Sequence, residues 1–316
     1  MAGEAIAITG ASGWLGSNLV RAAVAEGIEV RGVVRSEQSA RRVESDGARA
    51  VRAIDLDPDA LAAGIAGCRA LVHLVGIGAE RGDVTYEGVN VGGMRQVIEA
   101  ARRAGVPRVV YFSGLGVARY GIARRSTNAY FLSKLTAEVE LFRSGLDAVV
   151  FRPSYIVGPE DELIPALLRE LATGAVEIVG DGRYRLQPVA VADVARAALA
   201  AARVALPGPS VFDLVGSEPV SYRAFVARVA AAARRAGRPA EYAEREIPVE
   251  EADRRAVAGG YRGLLPDELD VMLCDETADA EPLQRLLGHP LTALDAVLDA
   301  AVSGSRPRAS NSFRRV

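Results

Sequence analysis

Tyr130 and Lys134 stand four residues apart in Tyr130-Phe131-Leu132-Ser133-Lys134, near the start of a helix-patterned segment that opens at Asn128. That spacing puts both side chains on one helix face. An ammonium beside a phenol stabilises the phenolate and lowers the phenol pKa, as an acid/base partner for a hydroxyl or carbonyl requires near neutral pH. The lysine can also hydrogen-bond a ribose. In an arbitrary helix the same pair would be a surface tyrosine beside a solvated lysine, so its meaning rests on the elements around it.

A second group able to do chemistry is the turn Gly10-Ala11-Ser12-Gly13-Trp14-Leu15-Gly16, between the apolar run Ala5–Thr9 and a helix-patterned segment from Trp14 to Glu26. Gly10 permits a tight turn, Gly13 lets backbone N–H groups approach a pyrophosphate, and Gly16 lets the helix sit close to the strand. The helix N-terminus then faces phosphate charge with its positive end. The spacing is G-x-x-G-x-x-G rather than G-x-G-x-x-G, and glycines alone also make ordinary turns. The flanking strand and helix raise the reading to a dinucleotide site.

The second apolar run ends in Val34-Arg35-Ser36, where an NAD-preferring site offers a carboxylate to the ribose diol. An arginine there suits a 2′-phosphate, with Ser36 as a further donor, so NADP(H) is favoured over NAD(H). The alternative is a solvated arginine at a strand end. Strand order alone places Asp55 and Leu56 near the adenine edge and the small Val75-Gly76 backbone beneath the adenosine ribose.

Short β-branched runs alternate with helical segments over the first two hundred residues, the signature of βαβ units in a parallel sheet. Strands are expected at about 5–9, 29–34, 49–54, 70–75, 107–113 and 147–152, with helices from Trp14, Glu37, Pro58, Thr85 and Asn128. The fold class is therefore α/β, a doubly wound Rossmann-type sheet with a smaller C-terminal cap. Residues 1–155 and 188–216, including a helix near 191–204 and a returning strand at 211–215, form the dinucleotide-binding part. Residues 156–187 and 217–302 form a substrate-binding cap, and 303–316, with four arginines and no acid, a mobile tail.

Thirty-eight basic against forty acidic residues give no electrostatic footprint for nucleic acid or an anionic membrane, so the expected partner is a small molecule. The basic stretch Arg119–Arg125 is too small for RNA, but it could attract an anionic substrate such as a phosphate ester. Arg183-Tyr184-Arg185 could clamp a phosphate or cover apolar surface with its stems. Cys68 and Cys274 are isolated, which fits a reducing cytoplasm. His73 sits inside an apolar run and His289 before a proline, so no metal site is expected. The start runs straight into a strand, which predicts a cytoplasmic protein, and the alanine-rich stretch Ala195–Leu206 is too short and too charged to span a bilayer.

The combination of Thr9-Gly10-Ala11-Ser12-Gly13-Trp14-Leu15-Gly16, Asp55-Leu56, Asn90, Tyr130 with Lys134, and Arg152-Pro153-Ser154 resembles the short-chain dehydrogenase/reductase superfamily, in its extended and atypical branches of epimerases and dehydratases. Val191-Ala192-Asp193-Val194-Ala195 resembles a later motif of that family. The resemblance implies Tyr130 as acid/base, Lys134 as its tuner and ribose ligand, and Asn90, Pro153 and Ser154 among the cofactor-binding residues. It also implies a hydroxyl just past the fifth strand that polarises the substrate oxygen. Leu115 stands at the usual place of that hydroxyl. Ser113, two residues earlier, lines the nicotinamide side or acts catalytically, and Ser126 or Thr127 are substitutes. Ser113-Gly114-Leu115-Gly116 is also similar to the subgroup of the NADPH-binding 39-kDa-type accessory subunit of respiratory complex I. Two functions follow: an oxidoreductase or sugar-nucleotide epimerase/dehydratase acting on a carbonyl/hydroxyl substrate, or a non-catalytic NADPH-binding interaction protein. The helix pair that includes the Tyr130 helix is a candidate homodimer face by the same resemblance.

Overall fold

The computed structural model describes residues 5–123, 125–206 and 208–305. The alternating segments of the first half fold as β1 (Ile6–Thr9), α1 (Trp14–Ala25), β2 (Val30–Val34), α2 (Glu37–Ser45), β3 (Arg49–Arg52), α3 (Pro58–Ile65), β4 (Ala70–His73), α4 (Gly93–Ala104), β5 (Arg108–Phe112), α5 (Ala129–Arg143) and β6 (Asp147–Pro153). A strand at Ser210–Leu214 returns to pair with β6. The seven strands run parallel in the order Ser210–Leu214, β6, β5, β4, β1, β2, β3. The order reverses between β1 and β4, which opens a crevice at their carboxyl ends.

Alternation along the strands sends side chains to two apolar layers. Ile6, Ile8, Val72, Val110, Val149 and Phe151 face α1 and the helix Val191–Arg203. Ala7, Val33, Leu71, Val109 and Val150 face α3, α4 and α5. Polar residues at the loop ends start the helices: Asn128 Oδ1 accepts from the Phe131 amide at 3.0 Å at the head of α5, and Asp57 caps α3 ahead of Pro58.

Two strands stop short of their expected ends. β3 ends at Arg52 because Asp55 and Leu56 take left-handed backbone, φ 50° and 58°, which no strand accommodates. β4 ends at His73, and Leu74–Gly76 leave the sheet as irregular chain. The helix expected from Thr85 enters α4 through a widened π-type turn, Glu87–Gly92, that carries Asn90.

Beyond β6, helices Leu163–Ala172, Tyr222–Arg235 and Leu294–Gly304 bury a separate apolar layer around Leu167, Phe225, Val229 and Leu298. Strands Ala175–Val179 and Ala243–Ile247 pair in parallel beside it. Helices Val249–Val257 and Pro266–Met272 share Ala252 and Leu269. Ser303 and Gly304, read from sequence as the start of a tail, close the last helix, and 306–316 lie outside the described residues. Among the described residues no helix is long and apolar enough to cross a membrane.

Candidate active site

The glycine turn is built by contact rather than by flexibility alone. Gly10 has φ 69° and its carbonyl accepts from the Gly13 amide at 2.9 Å. A methyl group on Gly16 would lie 2.2 Å from that carbonyl oxygen and 2.7 Å from the Ala11 Cα, so only glycine lets α1 lie this close to β1. Gly13 precedes α1 and is exposed. The first turn of α1 has neither an acidic residue nor a capping side chain, so its amides are left to bind an anion. Ser12 and Trp14 are half-buried at this edge, with Trp14 Nε1 donating to the Pro159 carbonyl at 2.8 Å. The Leu15 side chain is in the core, which leaves only its backbone to the edge.

At the end of β2, Arg35 is exposed and has no ion pair or hydrogen bond among the described residues. Ser36 is engaged instead as the cap of α2: its hydroxyl accepts from the Ser39 amide at 3.2 Å and donates to Ser39 Oγ at 3.0 Å. Asp55 is exposed in its left-handed turn, whereas Leu56 is buried against α4. Val75 and Gly76 are half-buried beyond β4.

From here the geometry leads directly to the tyrosine and lysine. A methyl on Gly10 would lie 3.3 Å from Leu74 Cβ, and one on Gly76 would lie 3.0 Å from Lys134 Nζ and 3.3 Å from Asn90 Oδ1. The carboxyl ends of β1, β4 and β5 therefore bring the glycine turn, Gly76, Asn90 and Lys134 into one crevice. Asn90 braces it by accepting from the Ile77 amide at 2.8 Å and donating to Ser133 Oγ at 2.9 Å. Ser133 Oγ in turn donates to the Tyr130 carbonyl at 2.7 Å.

Lys134 is the only lysine of the chain, set against thirty-seven arginines. It is buried, donates to the Phe112 carbonyl at 3.1 Å, and stands 5.3 Å from the Tyr111 ring centre and 5.9 Å from that of Tyr130. Burial pushes its ammonium down to about 8, against the opposing pull of the Glu138 carboxylate one turn on. A guanidinium could neither titrate there nor fit so close to Gly76. Glu138 is itself held by a two-pronged pair with Arg152 at 3.0 and 2.6 Å. Tyr130, Lys134 and Glu138 thus form one i, i+4, i+8 face. Sequence reading stopped at the first two, although the spacing signal extends to the third.

The Tyr130 hydroxyl would lie 3.6 Å from a methyl on Gly114, next to Ser113. Ser113 is buried, its amide donates to the Phe151 carbonyl at 2.7 Å, and its hydroxyl has no partner among the described residues. The substitutes lie elsewhere: Ser126 is buried against Cys274 Sγ at 3.6 Å and Thr127 is exposed. Ser154 turns its hydroxyl to the Glu276 carbonyl at 3.1 Å and accepts from the Gln187 amide, while Pro153 ends β6 half-buried.

His73 proves to be structural. Its Nδ1 meets Thr9 Oγ1 at 2.8 Å inside the sheet, and burial, with Lys134 nearby, pushes its imidazole down to about 3. Tyr86, which sequence reading missed, packs against Tyr130 with the ring centres 6.1 Å apart and the planes tilted by 57°, and donates to Asp267 Oδ2 at 3.1 Å. The same hydroxyl meets the Gly78 carbonyl at 2.9 Å, and no local pattern marks the contact to Asp267, which lies on the distant helix Pro266–Met272.

Residues 6–214 match the family model described as NAD dependent epimerase/dehydratase family. The chain belongs to that family. Its relatives include a 4-hydroxy-2-methyl-3-oxo-4-farnesyl-3,4-dihydroquinoline-1-oxide ketoreductase of Stigmatella aurantiaca, 34% identical over 69% of this chain and 70% of the relative. A 2-alkyl-3-oxoalkanoate reductase of Stenotrophomonas maltophilia is 29% identical over 72% and 75%. Among solved structures, MoeE5 in complex with UDP-glucuronic acid and NAD superposes with a TM-score of 0.71 at 25% identity, covering 95% of this chain and 98% of that one. The UDP-glucose 4-epimerase of Thermus thermophilus, in complex with NAD, gives 0.70 at 21% over 95% and 98%. This protein with a Rossmann-type sheet accordingly falls among NAD(P)-dependent oxidoreductases, epimerases and dehydratases. Its residues fit such a cofactor on their own evidence: uncapped helix amides at a glycine turn, and a glycine at 76 where a side chain would meet Lys134.

Proposed function

We propose that the protein interconverts a ketone and a secondary alcohol with NADP(H), Tyr130 being the acid/base and Lys134 its electrostatic support. The observation that carries the reading is the burial of the chain's single lysine one helical turn from Tyr130, hydrogen-bonded at the end of β5 beside a hydroxyl, Ser113, that has no described partner. A nicotinamide bound there supplies or accepts hydride. In the reductive direction Tyr130 gives its hydroxyl proton to the substrate oxygen, and Lys134 stabilises the phenolate left behind. Ser113 donates to the same oxygen, the part for which Leu115 has no group.

The pyrophosphate is held by the free amides of Trp14 and Leu15 in the turn from Gly10 to Gly16, with Ser12, while Gly13, whose own amide closes the turn onto Gly10, lets it approach. Asp55, Leu56, Val75 and Gly76 border the adenosine, and Asn90, Ser113, Pro153 and Ser154 the nicotinamide half. The exposed Arg35, without an ion pair among the described residues, supports NADP(H), since a guanidinium at that strand end suits a 2′-phosphate. Residues 156–187 and 217–302 serve as the substrate side. The ketoreductase and oxoalkanoate reductase names of two relatives support carbonyl reduction. The test is NADPH consumption against a panel of ketones with wild type and Tyr130→Phe. Turnover by wild type and its loss in the variant are expected, and unchanged turnover in the variant rejects the mechanism.

A further inference from the structure

We infer that the substrate carries an apolar body and no diphosphate, and that the arm Tyr261–Thr277 selects it; this rests on the ketone reduction proposed above. Away from Lys134 and Ser113, Tyr130 belongs to an apolar cluster. Tyr86, Val117, Phe131, Val271 and Cys274 are buried together with it, and Ile77 and Tyr120 lie partly buried alongside. Tyr130 is only 4% exposed, and Val271 and Cys274 of the arm are buried in the same cluster, so displacing the arm gives a substrate a route to it. The surface uncovered by displacing Val271 is then aromatic and aliphatic, a place for hydrocarbon rather than for a sugar hydroxyl array.

Charge points the same way. The arm holds five carboxylates and one arginine, and three of those carboxylates, Glu268, Asp270 and Asp275, are paired with Arg81, Arg125 and Arg185 from outside it. Neighbouring cations described in the structure are already engaged. Arg119 donates to the Asp275 and Thr277 carbonyls at 2.8 and 3.0 Å. Arg125 pairs with Asp253 at 2.8 Å and with Asp270. Arg185 pairs with Asp275 at 3.2 Å, and Arg262 with Glu170 at 2.6 Å. Arg119, Arg125 and Arg185 thus hold the arm, and a diphosphate that recruited them would have to break those contacts; Arg183 pairs instead with Asp181 at 3.8 Å on the exposed rim.

The experiment is a chain-length series on the full-length protein with NADPH, from ethyl 3-oxobutanoate to ethyl 3-oxooctanoate. Burial of a methylene predicts a rise in kcat/KM of roughly two- to fourfold for each one added. A flat series among esters that are reduced overturns this inference and leaves the ketone reading standing. Potent competition by UDP-glucose against the octanoate ester overturns it as well. Reduction of no ester while other ketones of the panel are reduced overturns this inference alone, and reduction of no ketone at all while NADPH still binds overturns the parent reading with it. Val271→Ala should lower kcat/KM for the octanoate ester at least about threefold more than for the butanoate ester. An unchanged ratio in a folded variant removes the arm as the selecting wall.

Discussion

Lys134 Nζ donates to the Phe112 carbonyl at 3.1 Å, which ties the acid/base helix α5 to the carboxyl end of β5 at the residue before Ser113. The ammonium is thereby fixed relative to both Tyr130 and the strand end, with Glu138 and Arg152 behind it. Electrostatic support that is already oriented costs no reorganisation when charge develops on the phenol.

Replacing Tyr130 by Phe removes the proton donor and should cut kcat by about 10²–10⁴-fold. NADPH affinity, read from nicotinamide fluorescence on titration, should stay within about threefold because the glycine turn is untouched. Lys134→Arg should also lose turnover, since the longer guanidinium meets Gly76 and does not titrate near 8.

Carbonyl reduction should decline as pH rises through about 8, where Lys134 loses the charge that supports the Tyr130 phenolate. Glu138 raises the lysine pKa, so Glu138→Gln should move that limb to lower pH. The same change removes the carboxylate that pairs with Arg152, which stays half-buried near Asp213, and should cost about 1–3 kcal/mol of stability, measurable by urea denaturation. A limb that stays in place in folded E138Q would dissociate the kinetic pKa from Lys134.

Arg35→Ala should weaken NADPH by roughly 10–100-fold and leave NADH nearly unchanged, because one charge-assisted contact to phosphate contributes about 1.5–3 kcal/mol. Isothermal titration with both cofactors gives the ratio directly. Equal loss for both would place Arg35 away from the 2′-position.

Gly16→Val puts carbon into the space of the Gly10 carbonyl and should either destabilise the fold by about 1–3 kcal/mol or push α1 off the turn. Displacement of α1 would weaken cofactor binding, read by NADPH titration, whereas destabilisation alone would appear as a lowered melting temperature. Gly13→Ala, whose added methyl meets only the Gly10 carbonyl at 3.2 Å, should be far milder for thermal stability.

His73 titrates at about 3 in the fold against about 6.5 when unfolded, so between these values the unfolded chain binds more protons. Stability should therefore fall as pH drops from 6.5 towards 3, by up to about 5 kcal/mol. His73→Gln should flatten that part of the denaturation profile, and an unaltered acid slope would assign the loss to other groups.

Much of this molecule is legible in short stretches. The two periodicities that set strands and helices repeat within a few residues, as does the glycine spacing that brings α1 against β1. The i, i+4 relation of Tyr130 and Lys134 is likewise a property of one helix, and it extends one turn further, to Glu138. Strand ends were less legible, because left-handed backbone at Asp55 and Leu56 stops β3 without any glycine or proline to announce it. Only the tertiary structure decided what surrounds the tyrosine. Arg125 finds Asp270 across 145 residues, Tyr86 finds Asp267 across 181, and Ser154 finds Glu276 across 122. Such partners are chosen by the burial of two distant apolar surfaces against each other, and no local spacing encodes which carboxylate or carbonyl then lies within reach of a given arginine or hydroxyl.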